Sequence, residues 1–162
     1  MPGNGLCLSE IAHFVNLCPP ESLVGAKVMP IFDMEGYAHV TIIVQYGATD
    51  ADAGFITVEA CDDMVPTTHP DFAFRYYAEE TASGDVLDAA ATKVTAATGI
   101  DAAPAGVNNI FYVIEIDADE LPNGYHCLRV NTSVPGGANL TSAIAILSGG
   151  RYKGAASPTV LA

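Results

Sequence analysis

Apolar and polar residues alternate with a period of two along three segments of the chain. Residues 38–46 place Ala38, Val40, Ile42, Val44 and Tyr46 on one side and His39, Thr41, Ile43 and Gln45 on the other. Residues 55–62 set Ile56, Val58 and Ala60 against Thr57 and Glu59, and residues 110–117 set Ile110, Tyr112, Ile114 and Ile116 against Glu115 and Asp117. Successive side chains of a strand point to opposite faces. In residues that are mostly β-branched or aromatic, this spacing predicts three half-buried β-strands. Residues 28–32, 72–78, 125–133 and 140–147 are weaker strand candidates. Turn chemistry separates them at 33–36, at the Leu-Pro-Asn-Gly of 121–124 and at the Pro-Gly-Gly-Ala-Asn of 135–139, and residues 47–54, with Asp50 and Asp52, form a further loop. Seven or eight short strands at regular spacing predict an all-β fold, an antiparallel β-sandwich of jelly-roll-like type.

Two regions depart from that pattern. In residues 85–98, Leu87, Ala91, Val94 and Thr98 share a helical stripe, with Ser83 or Asp85 as a cap and Gly99 as a stop. At most one short helix is expected there, and residues 92–95 also read as a strand fragment. The first 27 residues carry apolar side chains without a clean period and are split by Pro19 and Pro20. The expected division is therefore an N-terminal arm, 1–27, ahead of a β-sandwich domain, 28–162.

Composition changes the picture by exclusion. The chain has 162 residues, half of them hydrophobic, which is enough for one domain with its own core. It carries 19 acidic against 6 basic residues, a net charge of −13. Disordered acidic chains are poor in apolar residues, and this one is rich in them. A nucleic-acid partner is not expected, because Lys27, Arg75, Lys93, Arg129, Arg151 and Lys153 are dispersed instead of forming a basic stripe. A membrane partner is not expected either: no run of about 18 apolar residues is present, and no basic residue precedes Lys27 to open an export signal.

Candidate chemistry is sparse. There is no GxGxxG, no GxxxxGK[ST] and no GxSxG, so no cofactor is expected. Cys7, Cys18, Cys61 and Cys127 fit no zinc-knuckle spacing. They read as reduced, buried thiols, with a Cys7–Cys18 bridge as the other possibility. His13, His39, His69 and His126 form no HxH, HxxxH or HExxH and read as solvated or hydrogen-bonded side chains. The acidic clusters, of which 117–120 is the densest, read as a solvated face without the EF-hand spacing. No catalytic and no metal-binding residues are expected, and the chain is not expected to be an enzyme. Phe72, Phe74, Tyr76 and Tyr77 surround Arg75, a combination that suits either an interface anchor or a core strand.

One passage is more specific. Residues 111–130 read FYVIEIDADELPNGYHCLRV. This resembles a pattern in small head proteins of tailed bacteriophages, the capsid decoration or cement family. There a strand reading VIE[F/I]DADEL is followed by a short turn, an aromatic residue, C-hydrophobic-R and a further strand. The chain end is similar too, with a hydrophobic strand at 143–147 leading to Arg151 and Tyr152, as is the layout of 38–46 and 55–63. The resemblance spans roughly residues 28 to 152 and is weak between 83 and 107. It implies a β-sandwich that acts by binding: a decoration protein, a homotrimer seated on the major capsid protein at the virion surface and made in the host cytoplasm. The resemblance does not reach the arm, which is expected on its own apolar residues to lie along the capsid surface or a neighbouring subunit and add a strand there, with Leu6, Leu8, Ile11, Phe14, Val15 and Leu17 as anchors, joined at the interface by Arg75, Tyr76, Tyr77, Arg151 and Tyr152. The alternative readings are another virion component, such as a head-fibre base or tail protein, or a carbohydrate-binding β-sandwich module.

Overall fold

The computed structural model describes residues 8–48, 54–80, 92–95, 98–102, 109–133 and 135–150. The three alternating segments are strands whose apolar sides turn inward: β4 (His39–Tyr46), β5 (Phe55–Cys61) and β10 (Ile110–Asp117). Val40, Ile42, Val44 and Tyr46, then Ile56, Val58 and Ala60, then Ile110, Tyr112, Ile114 and Ile116 are all buried. The weaker candidates are also strands: β2 (Lys27–Val28) and β3 (Phe32–Asp33), β6 (Asp71–Phe72) and β7 (Phe74–Glu80), β11 (Cys127–Thr132), and β12 (Asn139–Ser148). The turn before β11 closes with a hydrogen bond from the Tyr125 amide to the Pro122 carbonyl, and Gly124 takes the left-handed conformation there (φ 90°).

These strands form two six-stranded antiparallel sheets. β1 (His13–Leu23) begins the first, whose order is β1-β12-β4-β10-β7-β8, with β8 at Thr92–Val94. The second runs β2-β11-β5-β6, with β3 paired to β11 and β9 (Ile100–Asp101) paired to β5. The pairing is nested from the ends inward. β1 pairs with β12, β2 and β3 with β11, β4 with β10, and β5 with β6. A long antiparallel hairpin folded over itself so that successive rungs alternate between two sheets is a jelly roll. The core lies between the sheets, where Ile42, Val44, Ile114 and Leu147 meet Phe32, Ile56, Val58 and Leu128. Tyr46, Tyr112 and Tyr76 stack edge to face within it, at centroid distances of 6.4 and 5.8 Å, and the Tyr112 hydroxyl donates to the Ala102 carbonyl at 3.1 Å.

The N-terminal segment differs from the arm expected of it. A single helical turn, Leu8–Ile11, leads directly into β1, an eleven-residue strand of the sheet itself. Pro19 and Pro20 do not end that strand, because β1 is an edge. The prolines fall where the register shifts between Cys18 and Glu21, so no ladder hydrogen bond requires their missing N–H. The same irregularity blunts the edge against pairing with another chain. Val15 and Leu17 are buried in the sandwich core. Of the helix expected near 85–98, residues 92–94 form β8 and pair with Phe74, Arg75 and Tyr76 of β7. Residues 85–91 and 96–97 lie outside the described residues. Cys18, Cys61 and Cys127 are buried free thiols, and Cys7 lies outside the described residues.

Candidate interaction surface

Two rungs cross the outer face of the first sheet in unbroken register, both ahead of the shifts in β1. One rung runs Asn16–Ile144–Ile43–Val113–Tyr77 across β1, β12, β4, β10 and β7. The next runs Phe14–Ile146–Thr41–Glu115–Arg75–Lys93, extending on to β8. On the far side of the first rung stand Ser142, Gln45 and Phe111. An apolar strip therefore crosses the sheet on the side away from the core: Phe14, Ile146, Ile144, Ile43, Val113, Tyr77 and Phe111. Phe14 and Ile144 are 46% and 38% exposed, and Val113 falls to 9% between its large neighbours. Outward positions of a sandwich strand are ordinarily polar.

The outer face of the second sheet is mixed, with Val28 of β2 and Phe55 of β5 exposed at 59% and 47% around a polar centre. Its β5 and β11 carry Thr57, Glu59, Arg129 and Asn131 in register, and Glu59 pairs with Arg129 through both Nε (2.6 Å) and a terminal guanidinium nitrogen. Burial acts to raise the Glu59 pKa, but hydrogen bonds from Asn131 and Arg129 outweigh it and hold the carboxyl below its ordinary value. The two faces thus differ at their centres, where the first carries a run of apolar side chains in register and the second an ion pair.

A charged corner bounds the apolar strip. The His39 ring lies between two carboxylates of β10, with Nδ1 2.7 Å from Asp117 and Nε2 2.6 Å from Glu115. The Thr41 hydroxyl donates to the same Glu115 carboxylate at 2.8 Å. Beside this clamp is a shallow cavity of about 320 Å³ lined by Ala38, Asp117, Ala118 and Asp119. Both ring nitrogens face acceptors, so the arrangement suits the imidazolium, which has no lone pair for a metal or an incoming proton. Burial by itself would lower the His39 pKa; the hydrogen bonds to Asp117 and Glu115 outweigh it, and the pKa rises above 6.5. A pKa raised on folding makes the clamp's contribution complete below about 6.5, the unfolded value, and lost as pH rises through the folded value. The stability difference between wild type and His39→Gln, followed by urea titration, is accordingly expected to shrink with rising pH above neutrality. A difference constant from pH 5 to 9 would show that the clamp does not titrate.

The residues named from sequence divide by face. Phe14, Arg75 and Tyr77 stand on the outer face with the strip, whereas Tyr76 points inward and packs on the core. Leu8 and Ile11 are exposed on the turn before β1, at 45% and 52%. Leu6, Arg151 and Tyr152 lie outside the described residues. Ile43, Phe111, Val113, Ile144 and Ile146 were missed as surface residues. Their signal was an apolar residue on the polar side of an alternating strand: Ile43 between Thr41 and Gln45, and Val113 ahead of Glu115.

No family model and no curated protein matches the chain. Among solved structures, the crystal structure of SPBc2 prophage-derived protein YomS is similar to it with a TM-score of 0.44 and 11% sequence identity, over 84% of this chain and 95% of that one.

Proposed function

We propose that this chain is a structural protein of a tailed-bacteriophage virion, a decoration protein that binds the outside of the head between major capsid protein subunits and stabilises it. The observation that carries this reading is the apolar strip that runs in register across the outer face of the first sheet. A contiguous apolar patch with a polar rim is the usual mark of a protein–protein contact. The strip docks on the capsid, and the acidic remainder of the surface faces solvent and keeps particles apart.

Two further features support the reading. The stretch that resembles the decoration family, 111–130, supplies β10, the turn at Ala118–Glu120 and the start of β11, and its Phe111 and Val113 stand in the strip. The strip stands on strands already paired in register, so little backbone ordering opposes docking. In this reading the protein works by binding alone, without a cofactor, and acts as a homotrimer, in which each added capsid contact becomes effectively intramolecular.

Purified protein mixed with undecorated heads is expected to co-sediment with them and to raise their melting temperature. Heads that neither bind it nor gain stability would sink the decoration role.

A further inference from the structure

The outer face of the second sheet ends, beyond the Glu59–Arg129 pair, in a cluster of metal-ligating groups. The Asp33 carboxylate, a ring nitrogen of His126 and Sγ of Cys127 all lie within 4.8 Å of one another. Backbone pairing brings them together. Asp33 of β3 is directly opposite Cys127 of β11, and the Met34 amide donates to the His126 carbonyl at 2.8 Å. Adjacent residues of a regular strand point to opposite faces. His126 precedes β11 and follows the Gly124 turn, so its ring is free of that rule and reaches the same side as the thiol.

We propose that Asp33, His126 and Cys127 form a binding site for a zinc-class divalent transition metal ion. The donor set selects the metal. A thiolate disfavours magnesium and calcium, imidazole suits zinc, cobalt and nickel, and a carboxylate completes a three-ligand zinc site with an open fourth position. Ligands on a tetrahedral zinc stand about 3.3–3.8 Å apart, so the three groups need to draw in by at most about 1.5 Å. The surroundings favour a cation. Cys127 is fully buried, and among the described residues its thiol has only the weak Met64 thioether as acceptor, at 3.7 Å. Asp62 and Asp63 add negative charge nearby. The Asp33 carboxylate is already oriented, since its Oδ1 accepts from the Glu35 amide at 2.7 Å.

A metal here would tie β3, a two-residue strand, to β11 and so pin the start of the second sheet. The site lies on the opposite sheet from the apolar strip, so it does not depend on the decoration role.

The test uses the full-length, chelator-treated protein. Titration with Co²⁺ is expected to raise a sulfur-to-cobalt charge-transfer band that saturates at one equivalent and is erased by Zn²⁺. At a hundredfold excess over Kd, zinc is expected to raise Tm by roughly 5–10 °C, with no such rise in Mg²⁺ or Ca²⁺. Cys127→Ser is expected to abolish the band. His126→Ala and Asp33→Asn avoid disturbing a fully buried side chain, and the side-chain carbonyl that Asp33→Asn introduces still accepts from the Glu35 amide; each is expected to weaken binding at least tenfold. A folded wild-type protein without the band, a band surviving in Cys127→Ser, or unchanged affinity in His126→Ala would overturn the site.

Discussion

A protein carrying both Phe14→Asp and Ile144→Asp is expected to stay folded and to lose at least a hundredfold in affinity for undecorated heads. The two side chains stand near one end of the apolar strip, on neighbouring strands β1 and β12, and both are substantially exposed. Their removal therefore opens no cavity in the core, and the cost to the fold is the lower strand propensity of aspartate, about 1 kcal/mol or less for each. The docked state loses much more. Two carboxylates would have to leave water for an apolar contact without a partner, and an unpaired polar or charged group at an interface costs about 2–5 kcal/mol. Since about 1.4 kcal/mol is tenfold, even the low end of two such penalties reaches a hundredfold. Val28→Asp together with Val65→Asp is the matched control, because those valines are 59% and 75% exposed and stand off the strip. Co-sedimentation should show the control binding like wild type. Equal binding by both double variants would move the docking face elsewhere.

Sequence periodicity reported the inner faces well and the outer faces poorly. β4, β5 and β10 were legible because their inward residues are apolar without exception, and burial against a second sheet is what an alternating pattern encodes. β1 was hidden because a Pro-Pro pair ordinarily ends a strand. It does not do so on an edge with a bulge, and edge position is a property of the whole sheet that no local window contains. The strip was hidden for a related reason. Ile43 and Val113 read as noise in their own strands, and only the register that places them side by side, with Ile144 and Tyr77 beyond, turns them into a surface. Asp33 and His126 meet across most of the chain length, so no ligand spacing could announce them. The aromatic run around Arg75 resolves into both of its readings at once: Phe74 and Tyr76 are core, whereas Arg75 and Tyr77 are surface.

Gly99 shows how a residue can be recognised as special for the wrong reason. In the sequence it stops a helix; in the structure it lets β9 reach β5. Its φ is +62°, and a Cβ built there would lie 2.3 Å from the Ile56 carbonyl oxygen and 2.8 Å from the Thr57 methyl. The next residue, Ile100, pairs with Ile56 and is buried, so the backbone cannot retreat without pulling a core side chain out of place. Gly99→Ala is therefore expected to destabilise the fold by about 2–5 kcal/mol, combining left-handed strain with the displacement of a packed strand. For a chain of this size that corresponds to a fall in Tm of roughly 5–15 °C. Gly124→Ala separates the two contributions. Its φ is +90°, but nothing lies within 4 Å of the added methyl, so only the strain of about 1–3 kcal/mol applies. Thermal melts of the two variants side by side should place Gly99→Ala clearly lower. Equal melting temperatures would mean that β9 yields to the methyl, and that its pairing with β5 is too soft to anchor the edge of the second sheet.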